Sequence, residues 1–397
     1  MPKTKQAVEQ AAKLKIYIPQ LDRLEKKLLE WTEKEKFQAC VVKATRYGVP
    51  IFEGCYGESA NDSGVKMDTI FPVASNTKPI IATLLMILQE EGQLDLGENM
   101  YRFIPEFHGG GRENICPWHF LTHTSGIVDA ELYKSVDEYI RDELNIENLK
   151  DDATEEDRLD YNEKIKKALE LPEDYDWHKT WRAISLKVKL NHTPRELMSY
   201  SSYGYNMLKD VICAVTGESI DSYAQRALFN PLGMVDSHWI LPKEKWGRVV
   251  GRDERCLGYG WANSERCYTS ESGGGGLKTT VADMSRFCEM ILGKGRYNNK
   301  RILSPASVRE MTKNYNSNFE NPFDAWGLGW NYRGTKVDDL GILRSANAVD
   351  HSGWGSHKIV LEPDHDLVVI IYMAECNWPN EFWFWGRVSN MFIAACE

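Results

Sequence analysis

Val73-Ala74-Ser75-Asn76-Thr77-Lys78-Pro79 leads into the mostly apolar run Ile80 to Leu88, and this stretch decides how the chain is read. A hydroxyl and an amine three residues apart share one face of a helix, about one turn from each other. A helix starting near Ser75 surrounds that hydroxyl with unpaired backbone N–H groups and the positive end of the helix dipole, which favours an alkoxide-like nucleophile. A Lys held there accepts the Ser proton if burial lowers its pKa. Pro79 suits the first turn of a helix and not its interior. Ser-x-x-Lys is also common as solvated helix surface, so the rest of the sequence has to choose.

The 397 residues are enough for one large domain or for two lobes. Hydrophobic content of 42% and charged content of 27% are ordinary for a soluble globular protein. No stretch approaches the ~18–20 apolar residues of a membrane span. The charged start, Met1-Pro2-Lys3-Thr4-Lys5-Gln6, has no apolar signal-peptide core. That predicts an unexported, cytoplasmic chain, although a protein whose leader had been removed would read the same. Nine Cys, odd in number and without a C-x-x-C pair, predict reduced thiols and argue against a disulfide frame or a zinc ribbon.

The net charge of −10 belongs to one segment. Residues 137–176 hold 16 Asp/Glu and 6 Lys/Arg, so the other residues sum to zero. With no basic patch and no aromatic-basic interleaving, nucleic-acid binding is disfavoured.

Amphipathic helix is predicted within 5–36, and strands at Gln38 to Thr45 and Ile51 to Tyr56. The Ser75 helix runs to Glu91-Gly92, where Gly is the expected stop. Residues 115–235 carry helical signals, with a charged helical excursion at 134–176 that is too long for a plain loop. It reads as a solvated insert, or alternatively as a lid or oligomer contact. Gly273-Gly274-Gly275-Gly276-Leu277-Lys278-Thr279 resembles a phosphate cradle, but a P-loop needs Gly directly before the Lys. A tight turn before a helix at Val281 to Leu292 is the better reading. Strands follow at Ala346 to Asp350, His357 to Leu361 and Leu367 to Met373, then a closing aromatic-rich helix from Glu381 to Ala395. The aromatics Trp378, Phe382, Trp383, Phe384 and Trp385 read as helix-to-sheet core, or one of them as an acyl-pocket wall. Trp326 and Trp330 suggest a strand and turn at the edge of a cleft.

Three more segments join the first: Phe120-Leu-Thr-His-Thr-Ser-Gly-Ile127, Tyr200-Ser-Ser-Tyr-Gly-Tyr-Asn-Met-Leu208, and His351-Ser352-Gly353-Trp354-Gly355. With Ser75-x-x-Lys78 and Gly275-Gly276-Leu277-Lys278-Thr279-Thr280, they resemble the serine-hydrolase superfamily of class C β-lactamases, over roughly residues 20 to 395. That superfamily includes D,D-peptidases, D-aminopeptidases and family VIII carboxylesterases. The resemblance implies an α+β, β-lactamase/transpeptidase-like fold, an antiparallel sheet flanked by helices plus a mostly helical lobe. It implies Ser75 as the acyl-accepting nucleophile, Lys78 as its proton acceptor, and Tyr200 as the tyrosine that shares base work and protonates the leaving group. The oxyanion hole would be the backbone N–H groups of Ser75 and Trp354, and His351, Ser352, Gly353 and Ser202 would line the substrate.

Two departures narrow the substrate. The family's Tyr-x-Asn carries Ser202 in the Asn place, and a hydroxyl lacks the amide's paired donor and acceptor. His351 stands where β-lactamases carry a Lys, and a histidine is mostly neutral at pH 7. Both shift the expectation from lactam toward ester or D-amide. Tyr203 offers an alternative register for the tyrosine; otherwise Tyr203 and Tyr205 read as packing groups. His119 and His123 have the spacing of a helical metal pair, but no third ligand is evident and His123 reads as a structural hydrogen-bonding group. His357 reads as an unlikely ligand.

The expected architecture is a discontinuous α/β lobe, residues 1–95 and 276–397, with a mostly helical lobe at 96–275 and the site between them. The expected function is a carboxylesterase acting on small acyl esters through a Ser75 acyl-enzyme, without metal or cofactor. The alternatives are a D-amino-acid peptidase or amidase, an acyltransferase, a β-lactamase, or a catalytically silent scaffold using the acidic insert as a partner surface. The partner is a small-molecule ester or amide, with no membrane; the sequence leaves the oligomeric state open.

Overall fold

The computed structural model describes residues 12–34, 37–61, 64–150, 153–256, 258–338, 340–374 and 381–397. The chain divides into two compact units, Met1–Leu94 with Tyr205–Glu397, and Asp95–Gly204.

The first unit is built on strands β1 (Ala39–Arg46), β2 (Val49–Gly57), β3 (Phe71–Pro72), β4 (Lys278–Thr279), β5 (Arg296–Tyr297), β6 (Lys300–Arg301), β7 (Asn331–Tyr332), β8 (Val349–Gly353), β9 (His357–Glu362) and β10 (Leu367–Ala374). Six of them form one sheet in the order β2-β1-β10-β9-β8-β7, antiparallel at every pairing. The β1–β2 connection is the two-residue turn Tyr47-Gly48, both at positive φ, which suits the twist of a tight hairpin. β10 reads Leu-Val-Val-Ile-Ile-Tyr-Met-Ala with every residue buried, because both faces of the sheet are covered. Its Leu367, Val369, Ile371 and Met373, with Cys40, Val42 and Ala44 of β1, pack on Leu24 and Leu28 of the helix Ile18–Glu33. Trp385, Val388 and Phe392 of the helix Glu381–Ile393 complete that layer. The helix Val281–Leu292 covers β1 and β10 from the other face. Of the aromatic run, Trp378 and the side chains of Phe382 and Trp383 lie outside the described residues. Phe384 and Trp385 are buried core.

β8 begins three residues later than the sequence suggested. Ala348 N–H bonds back to the Ser345 carbonyl, so 345–348 form a turn and the strand runs through His351-Ser352-Gly353. Trp326 and Trp330 do bracket a turn, closed by Gly327 N–H to the Trp330 carbonyl; Trp330 is fully buried, stacked on Phe287.

The second unit carries helices Pro117–Leu121, Asp129–Asp142, Glu155–Ala168 and Trp177–Ser185. The acidic segment is thus helical at the end of Asp129–Asp142 and over Glu155–Ala168, where Thr154 and Asp157 form a reciprocal capping box. Residues 205–275 pack with the sheet-bearing unit. A Cβ on Gly273 would sit 2.2 Å from the Tyr205 carbonyl, so these backbones touch where only Gly fits. His238 pairs with Lys278 of β4. No described helix is long and apolar enough to cross a membrane.

Candidate active site

Ser75 sits in a single 3-10 turn, Ala74–Thr77, that runs directly into the helix Lys78–Glu90, with Pro79 in its first turn. Ala74 is left-handed, at φ 45°, a conformation costing a non-glycine residue about 1 kcal/mol or more. The surroundings hold it: the Thr77 hydroxyl donates to the Ala74 carbonyl (2.7 Å) and accepts from Leu277 N–H (3.0 Å), and Val73 N–H donates to the Leu277 carbonyl (3.0 Å).

The Lys78 Nζ lies 2.9 Å from the Ser75 Oγ and donates to the Gly274 carbonyl at 2.8 Å. Lys78 is fully buried, and the Tyr205 ring faces its ammonium with the centroid 5.4 Å away. Excluding water disfavours the charged form of an amine, while the carbonyl and the ring face favour it.

β8 passes beside the same turn. A Cβ on Gly353 would lie 2.2 Å from the Val73 carbonyl, so only Gly lets the strand approach this closely. The buried amide of Asn76, its nitrogen turned toward the strand, donates to the carbonyls of His351 (3.0 Å) and Ser352 (3.2 Å). That orientation follows from the two acceptors it faces. After Gly353 the chain turns through Trp354-Gly355-Ser356 into β9, with Gly355 and Ser356 at positive φ. The Trp354 indole lies over Gly258, where a Cβ would be 2.1 Å away.

His351 is buried, its Nδ1–H donating to the Ser352 carbonyl (2.7 Å) and its ring edge-on to Trp326. Burial, and then the nearby Lys78 ammonium, push its pKa down to about 3. It is neutral at physiological pH. The Ser352 hydroxyl accepts from Lys358 Nζ on the opposite face of β8.

Behind β8 lies a buried charge cluster. Arg344 contacts Glu362 (3.2 Å), Asp350 (3.0 Å) and Asp338 (3.3 Å), and Asn331 donates to Asp350 (3.0 Å). Burial pushes the Asp350 carboxyl up, but Arg344 and then Lys358 outweigh it and hold it below the usual range.

Tyr200 and Ser202 belong to the second unit. Tyr200 is 42% exposed, its ring 4.5 Å from that of His123. His123 Nδ1 accepts from Ser201 N–H (3.0 Å), the structural bond its turn suggested. Asp129 accepts from the Ser201 hydroxyl (2.6 Å), Ser202 N–H (2.8 Å) and Tyr203 N–H (3.3 Å). Tyr203 is buried, bonded to Ser185 and edge-on to Phe120 and Trp181. That is a packing role, against the alternative register. His119 Nδ1 accepts from Cys116 N–H (3.2 Å) at a helix start.

Within the first unit, then, Ser75, Lys78, His351, Ser352, Gly353 and Trp354 come from one turn and one strand end fastened to each other. Sequence reasoning missed the amide of Asn76, the carbonyl of Gly274 and the ring of Tyr205. All three lie inside the quoted motifs, but their contacts are tertiary.

The Beta-lactamase family model matches residues 21–381. The chain belongs to the beta-lactamase family. This beta-lactamase-family protein is 22% identical over 336 residues to a Salmonella gallinarum protein described as "Putative D-alanyl-D-alanine carboxypeptidase", covering 77% of this chain and 69% of that one. It is 22% identical over 381 residues to an N-acetylmuramyl-L-alanine amidase of Bacillus subtilis, covering 86% and 78%. Among solved structures it resembles a family VIII carboxylesterase with a TM-score of 0.72 at 18% identity, over 95% of this chain and 97% of the other. The beta-lactamase-family chain therefore has the β-lactamase/transpeptidase-like fold, and it is an enzyme of the serine-hydrolase class.

Proposed function

We propose that the protein is a carboxylesterase that cleaves small acyl esters through an acyl-enzyme on Ser75. The observation that carries this reading is the 2.9 Å Ser75 Oγ–Lys78 Nζ contact, with the Lys fully buried and held by the Gly274 carbonyl. Once it has given up its own proton, Lys78 takes the Ser75 proton as Oγ attacks the ester carbonyl, and the oxyanion meets the backbone N–H groups of Ser75 and Trp354. Collapse expels the alkoxide, which takes its proton from Tyr200, and Lys78 passes the former Ser75 proton to the Tyr200 phenolate, so that both are restored as bases. Water, deprotonated by the same bases, then attacks the acyl carbon and frees the acid and the Ser75 hydroxyl.

Ester preference is supported by the strand. The neutral His351 offers no fixed cation to the carboxylate that penicillin-type substrates carry, and the Ser352 hydroxyl is already engaged by Lys358. The likeness to a family VIII carboxylesterase agrees with it. D-amide cleavage is the second reading, favoured by the name of the D-alanyl-D-alanine carboxypeptidase relative. The free thiols of the described cysteines support a reducing, cytoplasmic setting.

One preparation assayed on p-nitrophenyl acetate, D-alanine p-nitroanilide and a chromogenic cephalosporin tests the substrate order, with Ser75→Ala as control. Ester turnover abolished in Ser75→Ala and dominant in the wild type supports the proposal. Turnover that survives in Ser75→Ala removes it, and a dominant D-amide activity replaces it with the second reading.

A further inference from the structure

Lys78 Nζ donates to a loop, and a side chain outside the nucleophile turn bonds that loop at two points. The Gly274 carbonyl that accepts from Lys78 Nζ belongs to Ser272-Gly273-Gly274-Gly275-Gly276, a turn of very close backbone approach. A Cβ on Gly276 would lie 2.6–2.7 Å from the backbone of Ser270 and Ser272, and one on Gly273 would strike the Tyr205 carbonyl. Both positions need glycine, and such a chain has little intrinsic stiffness. Its order comes from hydrogen bonds. Gly276 N–H donates to the Ser272 carbonyl (2.8 Å) and Gly275 N–H reaches the same oxygen at 3.4 Å. The Asn206 Oδ1 accepts from the Ser272 hydroxyl (2.9 Å) and from Gly274 N–H (3.2 Å).

Asn206 lies on the helix Ser202–Thr216, one residue past the Tyr205 that faces the Lys78 ammonium. One amide oxygen thus fixes the loop at Ser272 and at Gly274, on either side of the crowded Gly273. We infer that Asn206 is a positioning residue for Lys78: through the Gly274 peptide it holds the carbonyl that aims the amine at Ser75. The inference rests on the proposed role of Lys78 as the base. The Asn206 oxygen touches neither Ser75 nor any reacting atom, so its action runs entirely through the loop.

Two variants separate this from a merely structural role. Asn206→Leu removes the acceptor at similar volume, which frees the Gly274 carbonyl to swing away from Lys78. Asn206→Asp keeps the acceptor oxygens and adds an anion near the amine. On p-nitrophenyl acetate, Asn206→Leu lowers kcat tenfold or more with KM little changed, a loss equivalent to about 1.4 kcal/mol of transition-state stabilisation. Asn206→Asp recovers most of kcat at high pH but moves the acid limb of the profile upward, since the anion favours protonated Lys78.

A readout independent of turnover uses 13Cε-lysine NMR in the Ser75→Ala background, with the Lys78 signal assigned by its loss in Lys78→Arg. Its titration midpoint falls in Asn206→Leu, which lacks the carbonyl that stabilises the ammonium, and rises in Asn206→Asp. Midpoints unmoved in both variants, or a wild-type kcat in folded Asn206→Leu, overturn the inference. Ester turnover surviving in Ser75→Ala would instead remove the proposed function, while the NMR titration still decides the link from Asn206 to Lys78.

Discussion

The side-chain amide of Asn76 donates to the main-chain carbonyl of His351 across 3.0 Å, fastening the turn that carries Ser75 to the strand that ends at Trp354. The proposed oxyanion hole takes one N–H from each of these pieces, and the Asn76 bonds hold them together beside the close approach of Gly353 to Val73. Asn76→Leu leaves the carbonyls of His351 and Ser352 without this donor, at a cost of about 1–3 kcal/mol of stability. The kcat for an ester falls along with it. Urea unfolding and steady-state kinetics on the same variant check both. A variant with full kcat would mean that the strand keeps its register without Asn76.

His351 makes stability depend on pH in a defined direction. Its folded pKa of about 3 lies below the ordinary histidine value of 6.5, so between those values the unfolded chain binds more protons. Stability is therefore complete above about pH 6.5 and is lost as pH falls toward 3, at up to about 1.4 kcal/mol per pH unit. His357, pushed down by burial and then by Arg252, adds to the loss with the same sign. In His351→Asn the drop in urea midpoint between about pH 7 and pH 5 becomes smaller than in the wild type. An equal drop would assign the acid sensitivity to other groups.

Arg344 touches Asp338, Asp350 and Glu362 together. Removing it takes the shared cation from three buried carboxylates, so Arg344→Met costs on the order of 3–5 kcal/mol. Arg344→Lys recovers only part, because a single ammonium replaces a planar fork with separate nitrogens for each acceptor. Chemical denaturation of the two variants tests this, and a loss under about 1 kcal/mol in Arg344→Met would show that the cluster contributes little.

The features legible in the sequence were those set by local spacing. Ser75 and Lys78 lie one turn apart whatever surrounds them, and the helix Val281–Leu292 starts at a Thr280 cap where it was expected. β10 announced itself by a continuous apolar run. What escaped depends on partners distant in the chain. The close fit of Gly273 onto the Tyr205 backbone is marked by no change of composition. The start of β8 was displaced by a backbone turn at Ser345. Asn206 reads as an ordinary helical Asn until Ser272 and Gly274 are brought to its oxygen. The charges around Arg344 are scattered from 338 to 362, and nothing in their order says they are buried together.

Asp129 gathers the residues that follow Tyr200. Its two oxygens accept from the Ser201 hydroxyl, Ser202 N–H and Tyr203 N–H, acting as a carboxylate cap on the helix Ser202–Thr216 although it comes from another helix. Asp129→Ala removes all three acceptances, which costs about 1 kcal/mol, as for other lost caps, and loosens the backbone that presents the Tyr200 phenol. Asp129→Asn behaves differently. Its remaining oxygen still serves Ser202 and Tyr203, and its NH2 donates to the Ser201 hydroxyl, an oxygen that accepts from Gly204 N–H as well. If Tyr200 protonates the leaving group, Asp129→Ala lowers kcat most for esters with poorly leaving alkoxides and least for p-nitrophenyl esters, whereas Asp129→Asn stays near the wild type on both. Comparing ethyl and p-nitrophenyl esters of one acid in the two variants reads this directly. A uniform loss across leaving groups would mean that Asp129 supports the helix without governing Tyr200.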